Sequence, residues 1–307
     1  MTARMERKSR YLALWSVTAA AVISAMALTA ATYAWFTSNR EVSTSKATSR
    51  TGNGNVELQI GREGVPLQKD EDGTYFTPMK GSKEYYKQLG SDKEDEFVLM
   101  PVSTADLKTF VSDTVSNSGY AVDFQKLEDE TLYYHDTITL KAVAEEGAAP
   151  ENAKMALYLD NLPSEEGEGT TTAPIVSSED GKLLTAARLG LRFSDGSFKI
   201  LTLSDVNEGT GNTKLGDTVV GSGKVLTYDD NAKTVKSADD PAIALADVQI
   251  PPEGGKGKTV ITELNLNETY NVDVYFYLEG CDPDCLSDKV ALTKATLNLA
   301  FYGLLTY

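Results

Sequence analysis

The chain has 307 residues, 41% hydrophobic and 24% charged, the balance of a globular protein long enough to bury a core. Its formal net charge is −16, which argues against non-specific nucleic-acid binding, because phosphate contacts need cationic side chains. A single histidine, His135, rules out multi-histidine metal sites and confines any Ser–His–Asp or Cys–His chemistry to that residue.

Residues 1–10 carry Arg4, Arg7, Lys8 and Arg10, and the 26 residues from Tyr11 to Phe36 carry no charge. A basic head, an apolar run and then small residues is the order of a secretory signal. Ala34 at −1 and Thr32 at −3 place cleavage between Ala34 and Trp35. The run is also long enough to span a bilayer as an uncleaved signal-anchor helix. Residues 1–34 are therefore expected to be a signal peptide or anchor. The rest is expected outside the cytoplasmic membrane, secreted or at the cell surface, with membrane contact only through residues 11–36.

Residues 35–55 are rich in Ser and Thr, with glycines at the end. They lack the apolar surface to bury themselves and predict a flexible arm. Regular alternation begins at Val56–Ile60. Val65–Gln68 and Tyr75–Thr77 flank the turn dipeptide Asp72-Gly73. Leu132–Ala142, Met155–Leu159 and Ala187–Phe193 follow as strands, the last with Arg188 and Arg192 opposite its apolar face. Asp195-Gly196 predicts a hairpin into Phe198–Leu203. Further strands are expected at Val219–Thr227, Ala242–Ile250, Val260–Leu266, Asn271–Leu278 and Ala291–Tyr302. Helix is expected only at Lys83–Leu89 and at Thr104–Ser112, with Thr104 as N-cap. Many short strands with Gly, Asp and Asn turns predict an all-β domain over 56–307, a jelly roll or related β-sandwich, with long surface insertions at 161–182 and 204–240.

The glycines around Gly209-Thr210-Gly211 and Gly221-Ser222-Gly223-Lys224 do not make a P-loop. Thr218 and Val225 stand where that motif needs Gly and Ser or Thr, so these are turn glycines. His135 falls on the polar face of its strand, and Asp136, its neighbour, points to the other face. Both cysteines, Cys281 and Cys285, sit in one tight turn; outside the membrane they would close a local disulfide, and in a reducing habitat they would be two thiols. Glu279, Asp282, Asp284 and Asp288 crowd the same turn. Their oxygens are weak candidates for Ca²⁺, against a solvated acidic turn. Two Cys without His partners do not make a zinc site. Tyr275 and Tyr277 face away from Val274, Phe276 and Leu278; they would either bind a ligand or lie under a covering loop or helix.

The segment Thr32-Tyr33-Ala34-Trp35-Phe36-Thr37-Ser38-Asn39, the Ser/Thr-rich arm before Val56–Ile60, and the run Leu278-Glu279-Gly280-Cys281-Asp282-Pro283-Asp284-Cys285 resemble the TasA/camelysin-like secreted proteins of Gram-positive bacteria, which carry a SipW-type signal peptide. The resemblance covers about a fifth of the chain. It implies a jelly-roll subunit exported to the cell surface, with signal peptidase as a partner that cuts at the signal, where such proteins form biofilm-matrix fibres with the arm of one subunit completing the sheet of the next. Some members were labelled metallopeptidases, but this chain has no zinc-binding triad and that activity is not carried over.

The sequence is thus read as a non-catalytic matrix-fibre or pilus-like subunit, with residues 35–55 as candidate donor strand and identical subunits or another surface protein as partners. The alternative is a membrane-anchored or secreted module that binds a glycan or protein. Neither reading calls for a cofactor. A carboxylate-dependent glycosidase would need two carboxyls ~5–10 Å apart, and no pair is nominated.

Overall fold

The computed structural model describes residues 41–52, 56–71, 73–80, 97–115, 121–128, 130–144, 149–150, 152–160, 162–163, 171–172, 175–177, 182–204, 213–215, 218–220, 223–251, 256–286 and 294–306. The apolar run Tyr11–Phe36, the cleavage site Ala34–Trp35, the helix expected at Lys83–Leu89 and Asp288 lie outside them. Among the described residues, no helix is long and apolar enough to cross a membrane.

The fold is all-β, with two mixed sheets. Sheet A runs β21 (Thr262–Asn265), β10 (Lys154–Leu159), β23 (Lys294–Thr306), β1 (Glu41–Thr51), β4 (Tyr75–Pro78), β3 (Gln68–Lys69), with β13 (Ile175–Ser177) beside β23 and β5 (Phe97–Val98) beside β1. Sheet B runs β2 (Val56–Gly61), β9 (Tyr134–Ala144), β22 (Thr269–Glu279), β14 (Ala187–Phe193), β15 (Phe198–Thr202), β20 (Ile243–Ala244), with β6 (Pro101–Val102) beside β22. Four two-stranded ribbons complete it: β7 (Val111–Val115) with β8 (Ala121–Lys126), β11 (Leu162–Pro163) with β12 (Thr171–Thr172), β16 (Thr213–Leu215) with β17 (Thr218–Val220), and β18 (Lys224–Asp229) with β19 (Thr234–Asp239).

The two sheets share one core because alternate residues of their strands are apolar. Ile138 and Leu140 of β9, Val274 and Phe276 of β22, and Leu297, Leu299 and Phe301 of β23 fall in the same buried cluster. β14 is buried on both faces. Its second face, with that of β22, lies under the loop 102–110. Val102, Leu107 and Phe110 cover Tyr133, Tyr275 and Tyr277, with Phe110 stacked on Tyr133 at 4.0 Å and edge-on to Tyr277 at 5.4 Å. These tyrosines therefore sit under a loop and form no exposed platform.

Gly190 of β14 makes that cover possible, since a Cβ there would stand 2.6 Å from a methyl of Leu107. The expected helix at Thr104–Ser112 is a loop as far as Phe110, and Val111 and Ser112 open β7. Thr104 does cap, its Oγ1 accepting from the Leu107 N–H at 3.1 Å. Leu107 then takes φ 54°, outside the helical region, so no helix propagates. The strand expected over Ala242–Ile250 is shorter, because β20 gives way to the helical turn α2 (Leu245–Val248); α1 (Lys182–Ala186) leads into β14. The hairpin at Asp195-Gly196 forms, with Gly196 at φ 88°. The insertion 204–240 is not wholly superficial: Val225 and Leu226 are buried, and the Leu226 N–H donates to Ser103 Oγ at 2.8 Å.

Candidate functional site

β1 lies where the sequence predicts a flexible arm. Over Glu41–Thr51 the polar segment is a paired strand in the interior of sheet A. It runs parallel to β23 from Glu41↔Lys294 to Thr51↔Gly303, with an irregularity between Thr44 and Ala47. On its other side Lys46–Ser49 pair antiparallel with β4, and Glu41 and Val42 with β5. A segment poor in apolar side chains can hold this place because ladder hydrogen bonds join backbones and do not depend on side-chain type.

The side chains described at its centre are small. Ala47 is fully buried, and Thr48 and Ser49 are buried beside it. Ser49 Oγ donates to the Leu58 carbonyl at 2.6 Å and Thr51 Oγ1 to the Val56 carbonyl at 2.9 Å, so the hydroxyls are satisfied by β2. The Gly52 N–H donates to the Gly303 carbonyl at 3.1 Å, extending the contact past the strand. β1 is thus a polar strand filling a slot between β23 and the β4/β5 pair.

The acidic turn after β22 is organised around a cation from the protein itself. Arg188 of β14, 5% exposed, stands opposite Tyr277 in the ladder. Its Nη2 donates to Asp282 Oδ2 at 2.7 Å and lies 3.6 Å from Asp240 Oδ2. The other Asp282 oxygen accepts from the Asp284 N–H at 2.9 Å, and Glu279 Oε1 accepts from the Cys281 N–H at 3.0 Å. Of the Ca²⁺ candidates, Glu279, Asp282 and Asp284 are all buried. The positive charge that Asp282 meets is a guanidinium. Among the described residues, no group of three or more His, Cys, Asp or Glu could hold a metal. Burial pushes the Glu279 carboxyl up to about 8, against the lowering pull of Arg188.

The cysteines are two buried thiols in this structure, where the sequence reading expects a disulfide outside the membrane. The short 3₁₀ turn Pro283–Leu286 aims Cys285 into the main core, whereas Cys281 belongs to a separate cluster with Val111 and Leu226 and approaches Ser103 Oγ at 3.6 Å.

His135 is held between two carboxylates. Nδ1 meets Glu130 Oε2 at 2.8 Å, Nε2 faces Asp273 Oδ1 at an ion-pair distance of 3.5 Å, and the ring stacks on Tyr275 at 4.5 Å. Asp136 points to the other face, as alternation predicts. There it is buried and ion-paired with Arg62, and it accepts from Tyr134 Oη at 3.1 Å and the Lys80 N–H at 2.8 Å.

Burial alone would lower the imidazole pKa, but Asp273 and Glu130 outweigh it and push it up to about 9. A folded-state value above the unfolded one adds stability that is full below about 6.5 and is lost as pH rises through about 9. Between those limits unfolding free energy is expected to fall by on the order of 2–3 kcal/mol from this residue. Urea titrations at pH 6 and pH 9.5 measure it: His135→Gln should remove that part of the pH dependence, and an unchanged dependence would show that the imidazolium adds nothing.

The chain matches no protein-family model, no curated protein and no solved structure.

Proposed function

We propose that the chain is an exported surface subunit of the TasA/camelysin-like kind, a jelly-roll or related β-sandwich that assembles by β-strand addition. The observation that carries the reading is the place of β1. It precedes every other described strand, is polar, and occupies an interior slot of sheet A, paired with β23 from Glu41 to Thr51 on one side and with β4 over Lys46–Ser49 and β5 at Glu41 and Val42 on the other. Gly52-Asn53-Gly54-Asn55 joins it to β2 in the sequence, and glycine and asparagine are residues that favour turns.

In a lone subunit β1 fills its own slot. In a polymer β1 of one subunit fills the slot of the next, with the same hydrogen bonds formed in either state, so the exchange costs little enthalpy. A head-to-tail contact of this kind does not close on itself and grows a filament. Residues 1–34 export the chain, and the acidic body keeps monomers apart until strands exchange. No catalytic step is part of this function.

The test uses a chain beginning at Gly52 and a synthetic peptide of residues 41–51. The peptide should bind one-to-one and restore the stability of the chain, and the chain beginning at Trp35 should form filaments in electron micrographs. A peptide that binds no better than the same peptide carrying Thr48→Pro, together with a strictly monomeric longer chain, would sink the proposal.

A further inference from the structure

We propose that the β1–β23 ladder is a force-bearing clamp: tension that enters the chain before Glu41 and leaves it after Thr306 loads the whole ladder in shear.

The geometry follows from the register. β1 and β23 are parallel neighbours, with Glu41 beside Lys294 and Thr51 beside Gly303. The chain therefore enters β1 at one end of the ladder and leaves β23 at the other. Pulling those two points apart slides the strands past each other along their length. Every hydrogen bond between them is stretched by the same displacement, so the bonds resist together. A slip of one residue, roughly 3.3 Å, breaks them all, since a hydrogen bond does not survive such a lengthening. Pulled from one end alone, the same bonds would open in turn, each facing the load singly.

Three further features resist the slide. The register irregularity between Thr44 and Ala47, where β1 advances three residues against two of β23, is of the kind that pins strand register. β1 is also held by β4 and β5, and β23 by β10 and β13, so neither strand can rotate out of the load line. Beyond the last pair, Gly52 N–H still donates to the Gly303 carbonyl, and Ser49 Oγ ties β1 to β2 through the Leu58 carbonyl.

One of the two points of load has a source in the sequence. The apolar run Tyr11–Phe36 ends five residues before β1 begins. Where that run stays in a membrane, any pull on the body is delivered to the N-terminal end of β1. The clamp goes beyond the assembly reading and does not need it, because it concerns one chain.

Single-molecule pulling tests it on the full chain in detergent, with handles on cysteines introduced in pairs, the two native thiols being buried. Arg40→Cys with Tyr307→Cys loads the ladder in shear. Arg40→Cys with Lys294→Cys loads the same ladder from one end, in the same fold. The shear pair should rupture at a severalfold higher force, in a single step that releases sheet A. Equal forces for the two pairs, or a weaker shear pair, would overturn the clamp. Filament formation is read separately, by microscopy, so either idea can fail alone.

Discussion

Arg188→Leu is expected to lower the unfolding free energy by about 3–5 kcal/mol, because removing one partner of a buried ion pair leaves the other charge uncompensated. Arg188 is among the most buried charges in the fold, and its Nη2 lies 2.7 Å from a carboxylate that is itself buried. Asp282 is also the residue whose other oxygen organises the turn to Asp284, so loss of the guanidinium loosens the end of β22. The loss should depend on pH. Glu279 already has a folded-state value near 8 through burial, so its contribution to stability is full below about 4.5 and falls as pH rises through about 8. Without Arg188, Glu279 loses the pull that opposes its burial and gains a stronger preference for the protonated form. The gap between the native protein and Arg188→Leu should therefore be widest above pH 8 and narrow as the solution is acidified. Urea unfolding at pH 5 and pH 8.5 tests this; a gap under about 1 kcal/mol at both would mean the cluster is hydrated and its charges are screened.

This residue marks the limit of what the sequence conveys. Alternation along Ala187–Phe193 correctly puts Arg188 opposite the apolar face, and on a sheet with one solvated face that means exposure. What surrounds it is the turn after β22, through Asp282, and the region around Asp240, both far away in the chain. No local pattern announces that cover. His135 is a similar case: its place on the face opposite Asp136 is legible, while the carboxylates that reach it come from the loop before β9 and across the ladder from β22. By contrast the core strands β9, β14, β22 and β23, and the Asp195-Gly196 hairpin, are legible because their apolar residues recur with period two between turn residues.

β1 escaped for a different reason. Its sequence, Glu-Val-Ser-Thr-Ser-Lys-Ala-Thr-Ser-Arg-Thr, has neither the apolar alternation of a half-buried strand nor the run of a buried one. Its interior position rests on two backbone ladders supplied by β23 and β4. Composition reports what a segment can bury by itself and says nothing of the edges that other segments leave open for it.

That distinction gives the second large effect. Thr48→Pro removes an N–H from the middle of an interior strand, orphans an acceptor and forces a ring into the ladder, and is expected to cost on the order of 2–3 kcal/mol. Thr48→Val keeps the N–H and the β-branched shape and loses only the long Oγ1 contact to the Leu299 carbonyl at 3.5 Å, so it should cost less than about 1 kcal/mol. The same pair of changes bears on strand addition. If the slot recognises backbone, a peptide of residues 41–51 carrying Thr48→Val should bind the chain that begins at Gly52 as the native peptide does. The Thr48→Pro peptide should lose most of its affinity, roughly 30-fold or more for 2 kcal/mol. Equal binding by the two substituted peptides would mean that β1 is held by something other than its ladders, and strand exchange would lose its physical basis.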